Sequence, residues 1–384
     1  MRPLDLGFAM TDNGEMNRLL IANRGEIAVR VARAAAELGI RTIAVYSQDD
    51  ARSMHVVQAD EALALPGSGA RAYLDVDELV RLAVESGADA VHPGYGFLSE
   101  SAAFAAAIEA AGIKFVGPTP ENLALFGDKV RARGLAAECG VPVLAGTAQA
   151  VSAQEARDFF ESLGAGGQMV IKAVSGGGGR GMRVVHAASE VEDAHTRAAS
   201  EAEAAFGDSQ VYVEEYLPRA RHIEVQILGD GSGAVSHFGE RECSIQRRHQ
   251  KIVEIAPSPS LEPELRKALT EAALKLGASV RYRGLGTLEF LLDSDGKRFS
   301  FIEANARLQV EHTVTEEVTG VDLVRAQLQV ADGRGLTELG LTQEQGPEAR
   351  GYAIQTRINM ETMGTDGSPR PAGGTLKVFE VPTG

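Results

Sequence analysis

The chain has 384 residues, 44% of them hydrophobic and 24% charged, which suits a globular protein of roughly two or three domains. Its 38 basic and 53 acidic residues give a net charge of −15, which argues against nucleic-acid and anionic-membrane partners. Cys139 and Cys243 are too far apart in sequence for a metal-type spacing. No apolar run approaches membrane-spanning length, and residues 1–16 lack the apolar core of a secretory signal. We therefore expect a cytoplasmic protein with a polar extension over 1–16.

The first third of the chain predicts strands alternating with helices. The strands are short apolar runs, "RLLIAN", "RTIAVYS", "ADAVHP" and "IKFVG". Between them, "RGEIAVRVARAAAELG", "DELVRLAVESG" and "SAAFAAAIEAAG" carry apolar residues at helical spacing. This alternation is typical of a doubly wound parallel sheet.

The pattern changes after Lys129. A helix followed by a strand in "EARDFFESLGAGGQMVIKAV", a strand "RVVH", a helix around 188–206 and a strand "QVYVEEYL" predict a small α+β segment. From Arg221 to Arg307, the runs "HIEVQIL", "AVSHFGE", "GTLEFLL" and "RFSFIEANA" alternate apolar and polar residues, which predicts a larger antiparallel sheet.

A run of glycines lies between two strands of the small segment, in "IKAVSGGGGRGMRVV". Gly176, Gly178 and Gly181 satisfy G-x-G-x-x-G, but a dinucleotide-binding loop would lead into a helix, and here strand-like residues follow. No Gly-Lys-Ser/Thr follows either, so the pattern is not a P-loop. We predict the tip of a hairpin whose backbone N–H groups cover a polyphosphate, with Lys172 as a point charge. A mobile surface turn is the alternative.

Two carboxylates interrupt apolar strands further along the chain. Glu289 lies within "GTLEFLL", and Glu303 lies within "FSFIEANAR" with Asn305 and Arg307 on the same face. The intervening "DSDGKR" predicts a hairpin, which would make Glu289 and Glu303 neighbours. Adjacent buried acids need a positive charge between them, and carboxylate and amide oxygens suit Mg²⁺. Surface salt bridges on an exposed strand face are the alternative.

A basic cluster stands out in this acidic chain. Arg247, Arg248, His249 and Lys251 fall within "QRRHQK", which indicates either an anion site or a solvated basic loop. His222 and His249 lack an HxxxH partner, so a zinc site is disfavoured.

Together these segments resemble biotin carboxylase, a member of the ATP-grasp superfamily. The resemblance runs from about Asn17 to the C-terminus. Its motifs keep the family's order: "IANRGEIAVR", "HPGYGFLSE", "FVGP", "GDK", "IKAVSGGGGRGMRVV", "RHIEVQIL", "ERECSIQRRHQK", "GTLEF", "FIEANARLQVEHTVTE", "TGVDLV" and "QTRINMET". It implies a mixed α/β and α+β fold, in which a parallel-sheet domain precedes two ATP-grasp lobes and the glycine hairpin is a moving lid. The implied domains are an N-terminal biotin carboxylase domain over 17–129, a lid over 130–216, a large lobe over 217–345 and the start of a C-terminal subdomain over 346–384.

The resemblance also implies site residues. The implied ATP site comprises Lys129, Lys172, Gly177, Gly178, Gly179, Glu214, Leu217, His222, His249 and Glu289. Among these, the lysines would face the phosphates, Glu214 and Leu217 would line the adenine pocket, and His222 would lie near the ribose. The implied ligands of Mg²⁺ or Mn²⁺ are Glu289, Glu303 and Asn305. The implied bicarbonate site comprises Arg307, Gln309, Val310 and Glu311, and the implied catalytic residues are Lys251, Arg307, Glu311 and Arg357.

The implied reaction converts ATP, bicarbonate and carrier-linked biotin into ADP, phosphate and carboxybiotin through carboxyphosphate. In it, Glu311 is the general base, held ionised beside Arg307, and Arg357 stabilises the biotin oxygen. We expect an acyl-CoA carboxylase context, with a biotinylated carrier, a carboxyltransferase component and a possible homodimer. Another ATP-grasp ligase and a non-catalytic ATP-binding or assembly module are the alternatives.

Three features depart from the family pattern. Glu215 stands where bacterial relatives often carry Lys, and "AVSGGGG" has one glycine fewer than some relatives. The chain ends at "KVFEVPTG", before the family's C-terminal subdomain is complete, so we expect a shortened biotin carboxylase. No Met-Lys-Met biotinylation site occurs in the sequence, so the biotin is expected on another domain or protein.

Overall fold

A computed structural model describes residues 15–175, 181–247, 250–293, 296–346 and 348–380. It begins with five parallel strands in the order β3-β2-β1-β4-β5. The elements of this part are β1 (Arg18–Ile21), α1 (Gly25–Glu37), β2 (Arg41–Tyr46), α2 (Met54–Gln58), β3 (Glu61–Ala64), α3 (Val76–Glu85), β4 (Ala90–His92), α4 (Ala102–Ala110), β5 (Lys114–Phe115) and α5 (Pro120–Gly127). The predicted doubly wound parallel sheet is therefore confirmed.

Local sequence sets these helix starts. Asp75, Ser101 and Thr119 each cap a helix, because their side chains accept a hydrogen bond from a backbone N–H in the first turn. The central strands β1 and β4 meet where the strand order reverses, which is where open α/β sheets place ligand-contacting loops. There Asn23 Nδ2 donates to the carbonyl oxygens of Pro93 (2.6 Å) and Tyr95 (2.9 Å), and so fixes the loop after β4.

A three-stranded antiparallel sheet follows, in the order β7-β6-β8. Helix α6 (Lys129–Glu138) precedes it. Its strands are β6 (Met169–Ala173), β7 (Met182–Val185) and β8 (Val211–Glu215), and its helices are α7 (Ala153–Ser162) and α8 (Val191–Phe206). Strands β6 and β7 pair antiparallel, as the predicted hairpin requires, from Met169 opposite Val185 to Lys172 opposite Met182. The glycines at 177, 178 and 179 lie outside the described residues, so their predicted contact with phosphates stays a prediction.

The large lobe is a six-stranded antiparallel sheet in the order β13-β12-β9-β10-β11-β14, which confirms the predicted antiparallel sheet. Its strands are β9 (Arg221–Asp230), β10 (Val235–Arg247), β11 (Gln250–Ala256), β12 (Arg283–Leu292), β13 (Phe299–Asn305) and β14 (Ala353–Thr356). Its helices are α9 (Pro263–Ser279), α10 (His312–Thr319), α11 (Leu323–Ala331) and α12 (Leu336–Leu339). A hairpin of β15 (Glu361–Met363) and β16 (Pro369–Pro371) follows.

The lid starts later than the predicted boundary at residue 130. Helix α6 packs against β13, and Val143 forms a parallel bridge with Phe301, so this stretch belongs to the large lobe. The chain crosses to the lid at Ala145, whose carbonyl accepts from the Glu215 backbone N–H at 2.8 Å. The boundary is corrected because α6 packs Ala132 and Ala136 into the core shared with the large sheet, a partner that the local sequence does not reveal.

The hydrophobic core is divided in the same way, between the lid and the rest of the described chain. Buried residues of the N-terminal sheet, such as Leu20, and of the large sheet, such as Phe290, belong to one continuous cluster. The lid has a separate cluster, which includes Met169, Ile171 and Val213. The N-terminal domain and large lobe therefore form one packed body, with the lid as a second one. Among the described residues, no helix is long and apolar enough to cross a membrane.

Candidate active site

A cavity of about 730 Å³ lies between the lid, the large sheet and the loop after β4. Its walls include Tyr95 and Gly96 from that loop, Lys129 at the start of α6 and Lys172 from β6. Most of the predicted site residues line it: Lys129, Lys172, Leu217, His222, Lys251, Glu289, Glu303, Asn305, Arg307, Gln309, Val310, Glu311 and Arg357. His249 lies outside the described residues, so its predicted place in the ATP site stays a prediction.

One end of the cavity is mainly apolar. Leu144, Val170, Leu217 and Leu291 line it, and Glu215 contributes the charged group there. The prediction that Glu214 lines an adenine pocket needs correction. Alternation along β8 turns the Glu214 side chain inward, where it is fully buried beneath the cavity wall, and Glu215 faces the cavity instead.

Two lysines mark the next part of the cavity, and each has an acid behind it. Lys172 Nζ lies 2.5 Å from Glu214 Oε2, and Lys129 Nζ lies 3.4 Å from Glu303 Oε2. The two ammonium groups come from different bodies, since Lys172 is in the lid and Lys129 starts α6. An anionic ligand between them would therefore be held by both.

The two acids predicted as neighbours are direct partners across β12 and β13, where Glu289 pairs with Glu303. Glu289 is nearly fully buried, and its oxygens accept hydrogen bonds from Asn305 Nδ2 (2.6 Å), His222 Nε2 (2.5 Å) and Lys251 Nζ (2.9 Å). Burial works against its charge, but Lys251 and His222 outweigh burial and lower the pKa of Glu289 well below its ordinary value. The same Glu289 charge raises the pKa of His222 against the effect of burial.

Lys251 lies at the centre of the cavity floor. Its Nζ contacts three carboxylates from separate elements: Glu224 Oε2 on β9 (2.5 Å), Glu289 Oε1 on β12 (2.9 Å) and Glu311 Oε1 at the start of α10 (2.8 Å). Burial opposes the charge of Lys251, but the acids raise its pKa well above the ordinary value. Burial likewise opposes the charge of Glu224, yet Arg241 and Lys251 lower the pKa of Glu224 to about 2. Lys251 is therefore charged and fixed in place.

Glu311 is fully buried between two cations, Lys251 on Oε1 and Arg357 Nη2 on Oε2 at 2.9 Å. This geometry corrects the expectation that Arg307 holds Glu311. Arg307 instead donates to Glu100 Oε2 at 2.8 Å and to Asn305 Oδ1 at 3.0 Å. The reason is that Arg307 lies just past β13, within reach of the N-terminal domain.

Sequence reasoning missed the acids and bases behind the cavity floor. Glu224 and Gln226 follow His222 at period two in "RHIEVQIL", a signal that β9 has one polar face. Fully buried Arg241 uses that face, because its Nε lies 2.5 Å from Glu224 and its Nη1 donates to Gln226 at 2.8 Å. Glu254, also fully buried, accepts from Arg357 Nε at 2.6 Å. The "GERECS" segment gives no sign that Arg241 is buried.

Comparison with known proteins agrees with this architecture. Residues 15–123 match a family described as "Biotin carboxylase, N-terminal domain", and residues 128–339 match "Carbamoyl-phosphate synthase L chain, ATP binding domain". The biotin carboxylase domain of 2-oxoglutarate carboxylase from Hydrogenobacter thermophilus superposes with a TM-score of 0.91 and 41% identity, over 97% of this chain and 80% of that one. That crystal structure contains MgADP, ADP and bicarbonate.

The chain belongs to the biotin carboxylase family. Biotin carboxylases are ATP-dependent ligases. A biotin carboxylase from Campylobacter jejuni superposes with a TM-score of 0.87 and 41% identity, over 91% of this chain and 77% of that one. Mouse mitochondrial pyruvate carboxylase is 52% identical over 95% of this chain but only 31% of its own length. The chain thus spans about a third of the length of the curated relatives it matches.

Proposed function

We propose that this chain carboxylates the biotin of a carrier domain or protein, using ATP and bicarbonate. The supporting observation is that one cavity joins an apolar end, a pair of lysines, the Glu289–Glu303 pair and a cluster of cations around Glu311. Each part suits a different portion of the reactants: adenine, phosphates, a divalent cation and bicarbonate.

The residues present fit Mg²⁺ or Mn²⁺. Glu289 and Glu303 present carboxylates and Asn305 an amide side chain, and oxygen ligands suit these ions. A bound divalent cation would neutralise negative charge on the phosphates. In its absence Lys251 and His222 compensate Glu289, and Lys129 compensates Glu303, so the two adjacent acids never lack positive charge.

The bicarbonate end is assigned to the cations around Glu311. Lys251 and Arg357 hold the two oxygens of Glu311, and Gln309 Nε2 lies 3.4 Å from Glu289 Oε1 beside them. A small anion here would share these cations with Glu311, and its proton would be transferred to the Glu311 carboxylate. The bicarbonate attacks the terminal phosphorus of ATP, and ADP leaves with the electrons of the broken P–O bond.

Arg357 is our candidate for the biotin contact. Its guanidinium lies at the cavity wall between Glu254 and Glu311, a position from which it can donate to a carbonyl oxygen that gains negative charge. The carboxyl group then passes to the biotin ureido nitrogen, phosphate is released, and the nitrogen's proton leaves with that phosphate.

Two classes of compound are proposed as the final acceptor of the carboxyl group. Curated relatives are pyruvate carboxylases, whereas a single-chain long-chain acyl-CoA carboxylase superposes with a TM-score of 0.82 and 44% identity, over 96% of this chain and 34% of that one. The predicted acyl-CoA context is therefore one proposal, and a 2-oxo acid acceptor is the other. A separate carboxyltransferase component and a biotinylated carrier belong to both. A homodimer is proposed because the Hydrogenobacter domain crystallised as one.

The test is bicarbonate-dependent ATP hydrolysis with and without free biotin. Stimulation by both bicarbonate and biotin supports the proposal. Hydrolysis that depends on a different acceptor would favour another ATP-grasp ligase, and nucleotide binding without turnover would favour a non-catalytic module. The acceptor is then identified by adding the biotinylated carrier and carboxyltransferase components with either pyruvate or an acyl-CoA, and following the transfer of labelled carbon.

A further inference from the structure

Arg133 lies under the cavity wall without lining the cavity. It is on α6 and is buried, and its Nη1 approaches Glu214 Oε1 on β8 to 2.5 Å. This approach is not aligned as a hydrogen bond, so the attraction between them is that of two opposite charges at close range. Nη2 donates to the Leu144 carbonyl at 2.7 Å, which fixes the guanidinium.

The other oxygen of Glu214 belongs to Lys172, at 2.5 Å. Burial works against the charge of Glu214, but Lys172 and Arg133 together lower its pKa, so the carboxylate is ionised at neutral pH. One negative charge thus lies between two positive ones. Lys172 alone among the three lines the cavity.

Without Arg133, the pair of Glu214 and Lys172 would be electrically neutral, and a phosphate would have to compete with Glu214 for the lysine. With Arg133, one net positive charge remains, and the position of Lys172 at the cavity wall presents it to a ligand. We propose that Arg133 is a positioning residue for phosphate binding, because it neutralises Glu214 and leaves the charge of Lys172 available to the nucleotide. This inference rests on the proposed ATP site.

The packing around Arg133 supports a site built for this contact. A Cβ added at Gly146 would lie 2.7 Å from Arg133 Nη2 and 2.8 Å from the Val213 carbonyl oxygen. A side chain at that position would therefore displace the guanidinium or β8. Gly146 also forms an antiparallel bridge with Glu214. The glycine therefore lets the chain that enters the lid lie close to β8, so that Arg133 can reach Glu214.

The test compares binding of ADP with binding of adenosine, which lacks phosphate. In Arg133→Met, we expect ADP to bind about 10-fold more weakly and adenosine to stay within about twofold, because only the phosphate interaction loses a charge. Arg283→Met is the matched control, since it removes an ion pair with Glu109 outside the cavity. The control should leave both affinities unchanged.

A second variant separates charge from structure. In Arg133→Met with Glu214→Gln, Lys172 regains an uncompensated charge, so ADP affinity should return to within about threefold of the wild type. Unchanged ADP binding in Arg133→Met, an equal loss of ADP and adenosine, or no recovery in the double variant would each overturn the inference. If Arg133→Met fails to fold, Glu214→Gln alone should bind ADP at least as tightly as the wild type, and weaker binding would overturn the idea.

The proposed function fails separately. A folded wild-type chain that binds neither ADP nor adenosine would overturn the ATP site, and the role of Arg133 with it. A wild type that binds ADP while Arg133→Met behaves identically would overturn the role of Arg133 alone.

Discussion

Replacing His92 by Asn should reduce the loss of unfolding free energy at acidic pH. His92 ends β4 and is fully buried, and its Nδ1 accepts a hydrogen bond from the Gly94 backbone N–H at 2.9 Å. Burial lowers the pKa of His92 from its ordinary 6.5 to about 3. The neutral ring therefore fixes the loop that places Tyr95 and Gly96 at the cavity wall.

The sign of the effect follows from proton linkage. Below its ordinary pKa of 6.5, the histidine of the unfolded chain takes up a proton, whereas the folded one stays neutral until about pH 3. The free energy of unfolding therefore falls with decreasing pH by about 1.4 kcal/mol per pH unit across this window, or about 2 kcal/mol at pH 5. Stability from this group is complete above pH 6.5 and is lost as pH falls.

Urea unfolding at pH 7.5, 6.5, 5.5 and 5.0 measures this difference. Asn keeps an acceptor for the Gly94 N–H but does not titrate. Between pH 7.5 and pH 5, the free energy of unfolding of the wild type should therefore fall by about 2 kcal/mol more than that of His92→Asn. His186→Asn, which changes an exposed histidine, is the control. If the free energies of unfolding of His92→Asn and the wild type changed equally with pH, the reasoning would be refuted.

Three further predictions concern the site and the sheet that supports it. Glu311→Ala should abolish bicarbonate-dependent ATP hydrolysis while ATP affinity stays within about threefold, because Glu311 contacts the anion end only; an equal loss of both would show that its role is different. Glu303→Gln should raise the Mg²⁺ concentration needed for half-maximal hydrolysis by about 10-fold or more, and EDTA should stop hydrolysis; an unchanged Mg²⁺ titration would remove Glu303 from the metal site. Gly229→Ala would place a Cβ 2.1 Å from the Tyr282 carbonyl oxygen, so overpacking should cost about 1–3 kcal/mol and lower the Tm by several degrees, without a preferential effect on ADP binding.

Local patterns were sufficient for the elements and for one pair of site residues. Alternation of strands and helices predicted the parallel sheet, since the period of apolar residues is set by local backbone geometry. The Asp-Gly turn predicted that Glu289 and Glu303 are strand partners, and the structure pairs them directly. Both predictions depend on residues that are close in sequence, where few competing arrangements exist.

The partners of the buried charges could not be predicted in the same way. Glu224, Lys251 and Glu311 come from β9, β11 and the start of α10, so their meeting depends on the packing of the whole large lobe. The inward turn of Glu214 depends on one step of strand register, because consecutive residues point to opposite faces. The lid boundary was misplaced because α6 has no marked apolar face, so only tertiary contacts decide which body it joins.

The charges beneath the cavity are almost matched in number. Three carboxylates share Lys251, Arg241 pairs with Glu224, and Arg357 lies between Glu311 and a fourth carboxylate, Glu254. A monovalent anion arriving alone would add one negative charge and a divalent cation arriving alone would add two positive charges, whereas both together would change this near balance by only one charge. Each should therefore tighten the other's association by the same factor, because such coupling is reciprocal. Four dissociation constants, each partner titrated with and without the other, are enough to measure that cooperativity.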